Sequence, residues 1–358
     1  MQGRLFQTNG SRPRPAKSKS ITIKEVARHA DVSIATVSRV VNGNYRVGPQ
    51  IVERVNKAIA ELDYQPDFYA RSLKGASSLT IAVLVSDISN AYFNYVAKSI
   101  EDVVWPHDYN LIFSSTEGNA ERERTTLSTL INKRIDGLIL NTTGHNDRFV
   151  AEASKTLPIV LLHRRLAARG FRGDFVDSDN RHGSEELTRH LFDAGHRRIG
   201  AINGSLDLSS GHERFAGFRL AMEERGLHVD EFSADVFNGD FTEESGYRGM
   251  EYFHRHRPGV TGLVVMNNAM TVGALMYLRT HSIDVPSDIS IVGYGDIIHS
   301  ELMYVRPTTV SLDPQAIGGR AAELLISRIE KPSLRRRTFM YQPTLNRRES
   351  VGRPKTDD

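Results

Sequence analysis

Arg39 and Asn42 sit three residues apart in ITIKEVARHADVSIATVSRVVNG, residues 21–43. Both residue types can make bidentate hydrogen bonds to base edges, arginine to guanine and asparagine to adenine. On a helix turning ~100° per residue, Ile34, Ala35, Ser38, Arg39 and Asn42 share one face at roughly 0–140°, while Val37, Val40 and Val41 lie at roughly 240–340°. One face buries itself, and the other offers small side chains with one cation and one amide. That surface suits close approach to nucleic acid. A second set of candidates follows apolar runs further along: Ser86–Phe93, His163-Arg164, Gly204–Arg214, Asn267-Asn268 and Tyr294–Asp296. Groups just beyond the carboxyl ends of strands are where open α/β sheets bind small ligands.

The elements that must position these groups are legible. Thr22 with Glu25 forms a capping box ahead of a helix striped by Ile23, Val26, Ala27 and Ala30. Ala30-Asp31-Val32-Ser33 is a turn, with Ser33 as the cap of the second helix. Gly48-Pro49 opens a third helix, whose Val52, Val55, Ile59 and Leu62 wall the pair. Pro66 breaks that helix, and Asp67 caps a short hinge helix running to Lys74. From Leu79 onward, apolar strands alternate with amphipathic helices. The strand runs are Ile81–Val85, Leu111–Ser114, Gly137–Leu140, Ile159–Leu162, Arg198–Ile202, Gly262–Met266 and Ile289–Val292. Helical runs between them include Tyr92–Val104, Arg181–Ala194, Arg214–Arg225, Glu243–Phe253 and Thr271–Arg279. This alternation predicts parallel sheets covered on both faces, and its length predicts two lobes with a cleft.

Composition narrows the class. Residues 1–75 hold 13 Lys and Arg against 6 Asp and Glu, and the remainder holds 33 against 37. A small basic head on a mildly acidic body fits a nucleic-acid binder. No apolar run approaches the ~20 residues of a membrane helix. The N-terminus has no apolar centre and reads as a basic arm rather than an export signal. The chain has no cysteine, which excludes disulfides and thiolate metal sites and fits a reducing cytoplasm. No leucine heptad marks the C-terminus, so a dimer is expected rather than a coiled-coil tetramer.

Taken together, several segments resemble the lactose-repressor (LacI/GalR) family of bacterial transcription regulators. They are ITIKEVARHADVSIATVSRVVNG, LDYQPDFYARSLKG, SDISNAYF, HERFAGF, NGDFTEESGY, MNNAM, DISIVGYGD and TTVSLDPQAIGGRAAELL, in that order. The resemblance covers residues 20–350. It implies an all-α helix-turn-helix head on a two-lobed, periplasmic-binding-protein-like α/β core with parallel, Rossmann-like sheets. The expected divisions are a disordered basic arm (1–20), the head (21–66), hinge helix and linker (67–78), the two-lobed unit (79–350) and a disordered tail (351–358).

The implied partners are a near-palindromic operator DNA, a second copy of the chain and a small-molecule effector. The implied location is the cytoplasm, on the nucleoid. By the same resemblance, Ile34, Ala35 and Arg39 read bases, and Ser33, Thr36, Ser38 and Asn42 contact or support phosphates. Tyr64 buttresses the backbone, and Leu73 wedges between central base pairs. The effector residues carried over are Asn90, Tyr92, Phe93, His163, Arg214, Phe241, Asn267 and Asp296. No cofactor or metal is expected.

Three departures bear on the effector. Where sugar-binding members commonly carry acids, this chain has His163, Asn268 and Gly295. Carboxylates grip sugar hydroxyls by charged hydrogen bonds, so their loss points to an anionic effector, a sugar acid or phosphorylated sugar. The alternative is that neighbouring acids such as Asp296 replace them and the effector is a neutral sugar. Two other functions share the α/β body. A transporter's solute-binding protein would need export and no basic head. An enzyme would need a phosphate loop, dinucleotide fingerprint, HExxH or nucleophile elbow, and the sequence shows none of these.

Overall fold

The computed structural model describes residues 21–41, 47–64 and 77–355. The chain divides into two units, Met1–Ala76 and Ser77–Asp358. The expected basic arm, most of the hinge and the two site candidates Asn42 and Leu73 lie outside the described residues.

In the first unit α1 spans Ile23–His29, α2 Ile34–Val41 and α3 Pro49–Glu61. The Glu25 carboxylate accepts from the Thr22 amide at 2.7 Å and its hydroxyl at 2.9 Å, closing the expected box. Ser33 caps α2 by accepting from the Thr36 amide at 3.1 Å. The intervening turn is drawn tight by Asp31 at φ +52°, a left-handed conformation that aspartate tolerates better than most residues. Arg54 of α3 donates to the carbonyls of Ala30 at 2.6 Å and Asp31 at 3.0 Å, fixing the turn on α3. Val26, Ala27, Ala30, Val37, Val55, Ala58 and Tyr64 form the core.

The second unit holds two six-stranded sheets. In the first lobe the strands are β1 (Thr80–Val85), β2 (Asn110–Ser115), β3 (Gly137–Leu140), β4 (Ile159–Leu162), β5 (Asp174–Ser178) and β11 (Thr338–Tyr341). Their order is β11-β5-β4-β3-β1-β2, and every pair is parallel. The second lobe holds β6 (Ile199–Asn203), β7 (Val236–Asn238), β8 (Gly262–Val265), β9 (Ser290–Tyr294), β10 (Thr308–Ser311) and β12 (Thr344–Asn346). Their order is β12-β10-β9-β8-β6-β7, parallel except for the β10–β12 edge pair.

Helices cover both faces of each sheet. The first lobe carries α4 (Ala91–Val104), α5 (Ala120–Asn132), α6 (Asp147–Ala153) and α11 (Pro314–Glu330). The second carries α7 (Asn180–Asp193), α8 (Ser209–Glu223), α9 (Glu243–His256) and α10 (Asn268–Thr280). The chain therefore passes between lobes three times, after β5, β10 and β11. Two glycines let α9 and α10 touch. A Cβ on Gly246 would sit 2.0 Å from the Met270 carbonyl oxygen, and one on Gly273 would sit 1.9 Å from that of Glu243.

Each of the seven strand runs read from the sequence overlaps a strand, but β5, β7, β10, β11 and β12 were not among them. β5 carries Asp174 and Asp177 at buried positions, and β7 and β12 are three residues long, so neither gives an apolar run. The expectation of a disordered tail from Val351 fails for residues 351–355. Gly352 donates its amide to Ser290 Oγ at 3.0 Å, its carbonyl lies 3.1 Å from His196 Nε2, and Lys355 pairs with Asp288 at 2.6 Å.

Candidate functional site

On the head, α2 turns the expected face outward. Ser33, Ile34, Ala35 and Arg39 are exposed, Thr36 and Ser38 are half-buried, and Val37 is buried. Ile34 keeps 44 % of its surface accessible although it is a large apolar residue, as a base-contacting position requires. Ser33 and Thr36 hydroxyls lie 2.8 Å apart, so both also serve the cap. Tyr64, expected as a buttress, packs inward. It is only 9 % exposed and belongs to the head core.

In the second unit, a cleft between the lobes is lined by residues from both. Asn90, Tyr92, Phe93, His163, Arg214, Phe241 and Asn267 all reach it, as expected from the sequence. Asp296 does not. Its carboxylate accepts from Arg348 at 3.0 Å and from the Thr309 hydroxyl, behind the lining. Burial alone would raise this carboxyl, but Ser311, Thr309 and Arg348 hydrogen bonds hold it below its usual range. The sequence-based alternative, that Asp296 supplies the missing acid, therefore loses its physical basis. Gly295, which does line the cleft, has φ +90° and carries no group to grip a ligand.

A hydrogen-bonded chain joins the lobes across the cleft floor. The Tyr92 hydroxyl lies 2.9 Å from His163 Nε2, and His163 Nδ1 lies 3.0 Å from Asp177 Oδ1. Asp177 Oδ2 accepts from Asn180 at 2.7 Å, and Asn180 Oδ1 accepts from Arg214 Nε at 2.7 Å. Arg214 also donates to the Met266 carbonyl at 2.6 Å and stacks 3.8 Å over the Tyr294 ring. Burial pushes the Tyr92 phenol up, and the Asp177 charge adds to it, so the group stays a neutral hydroxyl. His163 and Phe241 have φ of +58° and +70°. For non-glycine residues such backbone costs ~1–3 kcal/mol and concentrates at functional sites.

At the rim, Asn90 and Asn268 pair amide to amide. Asn90 donates to Asn268 Oδ1 at 3.1 Å, and Asn268 donates back to Asn90 Oδ1 at 2.9 Å. Both residues sit at helix starts: Asn90 caps α4, and Asn268 opens α10, whose cap Asn267 accepts from the Met270 amide at 2.8 Å. On another rim Arg165 reaches from the first lobe to Ser209 Oγ at 2.9 Å and Glu213 at 2.7 Å.

Arg164, Ser210, Asn268 and Tyr294, which fall in the strand-end segments read from the sequence, also line the cleft, whereas Asn141 and Leu312 line it from outside those segments. Asn141 directly follows β3, so the strand-end rule was enough to find it. It is 1 % exposed, and its Oδ1 accepts no hydrogen bond. Arg164 directly follows His163 and is 8 % exposed. Among the described lining residues the one carboxylate is Asp87, which accepts from its neighbour Ser89 at 2.8 Å and 2.7 Å.

A helix-turn-helix head together with a two-lobed core enclosing a polar cleft defines a class, the ligand-responsive DNA-binding regulators. Comparison with known proteins agrees. Residues 22–67 match the bacterial regulatory proteins of the lacI family, and residues 188–351 match a periplasmic binding protein-like domain. The ribose operon repressor of Escherichia coli (strain K12) is 33 % identical over 332 residues, 92 % of this chain and 99 % of that protein. The HTH-type transcriptional repressor PurR of Serratia proteamaculans (strain 568) is 34 % identical over 338 residues, 92 % of this chain and 96 % of that one. The fold matches the lac repressor dimer bound to operator and the anti-inducer ONPF with a TM-score of 0.76. That match has 24 % identity and covers 93 % of this chain and 100 % of that one. The chain belongs to the LacI family: it is a DNA-binding transcriptional regulator controlled by a small-molecule effector, not a transporter's solute receptor.

Proposed function

We propose that the chain works as a homodimeric repressor of carbohydrate catabolic genes, with an anionic carbohydrate as its effector and no catalytic step. One observation carries the choice of effector. The cleft brings two buried guanidinium groups, Arg164 and Arg214, to a lining whose one described carboxylate is Asp87, already bonded to Ser89. A sugar acid or phosphorylated sugar would meet these guanidinium groups with charged hydrogen bonds, which a neutral sugar cannot offer. On the head, Ile34, Ala35 and Arg39 read base edges, Ser33, Thr36, Ser38 and Asn42 hold phosphates, and Leu73 wedges the operator centre. Tyr64 supports these residues from the core. Exposed apolar side chains of the second unit, Leu302 at 87 % and Tyr304 at 90 %, favour an apolar partner surface, here a second copy. No helix among the described residues is long and apolar enough to cross a membrane, and the proposed site of action is the cytoplasm.

Genome-wide footprinting with the full chain tests this reading. It is expected to recover near-palindromic sites beside genes for sugar or sugar-acid breakdown. Footprints without two-fold symmetry, or scattered without regard to such genes, would contradict it.

A further inference from the structure

We infer that Arg164 is the charge-reading residue of the cleft. Together with Arg214 it clamps the anionic group of a hydroxylated effector between the two lobes. The inference rests on the cleft being the effector site and assigns which residue selects the ligand there.

The two arginines come from opposite lobes, Arg164 from the end of β4 and Arg214 from α8. Both reach the same aromatic ring: their guanidinium carbons lie 5.5 Å and 5.8 Å from the Phe241 centroid. They are 8 % and 7 % exposed. Burial, then the charge of Arg214, pulls Arg164 down to about 10. Two like charges are thus held close in a low-dielectric space, which is unfavourable until an anion joins them. The buried carboxylates Glu123 and Asp177 offset part of this charge, Glu123 at Arg164 and Asp177 at Arg214, but their oxygens are taken up by other donors. Glu123 spends its carboxylate on Thr143 and Asn146, and Asp177 spends its own on His163 and Asn180.

Each guanidinium also keeps donors in reserve. Arg164 uses Nη1 on the Thr142 carbonyl at 2.9 Å, and Arg214 uses Nε and Nη1 on Asn180 and Met266. Arginine has five donors, so both can still present N–H groups to an oxyanion. His163 cannot play this part, because both of its nitrogens are already engaged. The unpaired Oδ1 of Asn141 supplies the complementary feature, a buried acceptor for a hydroxyl donor. A cation pair beside a lone acceptor selects a polyhydroxy anion. Because the clamp spans the lobes, ligand charge itself favours the closed arrangement.

Calorimetry on the full chain tests the assignment. The probes are D-gluconate and D-ribonate, D-glucose 6-phosphate and D-ribose 5-phosphate, and the parent aldoses. Wild type is expected to bind an aldonate or a sugar phosphate more tightly than its aldose, and whichever is preferred names the anion. R164Q should weaken that anionic probe about 30-fold or more, and R164K, which keeps the charge, by less than about 10-fold. Equal losses in R164Q and R164K, or none in R164Q, would overturn the role of Arg164 while leaving the anionic reading intact. Wild type that binds only aldoses, or none of the anionic probes, would overturn both.

Discussion

At the scale of single residues, the two functional surfaces differ in how they use side chains. The head presents Arg39 on an exposed face of α2. The cleft instead locks nearly every polar group in place: Tyr92, His163, Asp177, Asn180 and Arg214 form one chain of bonds between 2.7 and 3.0 Å. An exposed cation suits a DNA reader, which must adapt to a groove, and a locked network suits a ligand selector, which must not adapt. Arg39→Ala is expected to cost about 1–3 kcal/mol of specific operator binding, as for one bidentate base contact. A competition assay against random-sequence DNA checks this, and an unchanged ratio of specific to non-specific affinity would refute it. The residues legible in the sequence were those with a role fixed by local pattern. The exposed position of Arg39 is legible from a helical wheel, and the place of Tyr92 at the cleft from a strand end. Asp296 was misplaced because its true partner, Arg348, is 52 positions away, and no local pattern announces such a pair.

At the scale of elements, the first lobe is fastened by buried ionic contacts that sequence periodicity does not show. Asp174 on β5 is fully buried and accepts from Arg328 of α11 at 2.6 and 3.1 Å and from Arg337, just before β11, at 2.8 Å. This cluster ties the helix that returns from the second lobe to the edge of the first sheet. It also explains why β5 was missed: an acid in a strand breaks the apolar run, yet here it is the anchor. Burial pushes the Asp174 carboxyl up, but the two arginines outweigh that and hold it below its usual range. A carboxyl depressed in the folded state stabilises at pH above its unfolded value of about 3.9, and that contribution is lost as pH falls through the folded value. Asp174→Asn leaves two guanidinium groups without their counter-charge and is expected to cost about 3–5 kcal/mol at neutral pH. Urea unfolding measures this, and a loss under about 1 kcal/mol would show the cluster to be dispensable.

At the scale of the whole molecule, two units divide the labour. The match to the lacI-family regulatory proteins lies in residues 22–67, and the polar cleft lies between the lobes of the second unit. The division was legible early, because a basic head and a βα-alternating body differ in charge and in period. What the sequence could not supply was the wiring of the cleft, whose lining draws on segments from Ser86 to Leu312. The central claim is that an anionic carbohydrate in this cleft changes how tightly the head holds its operator. An equilibrium titration of the full chain against a footprinted operator, followed by fluorescence anisotropy, tests it most directly. A saturating sugar acid or sugar phosphate is expected to shift operator affinity by about 5- to 150-fold, the usual size of such coupling, while the parent aldose leaves it unmoved. Operator affinity that shifts with a neutral sugar and ignores every anionic one would contradict the account.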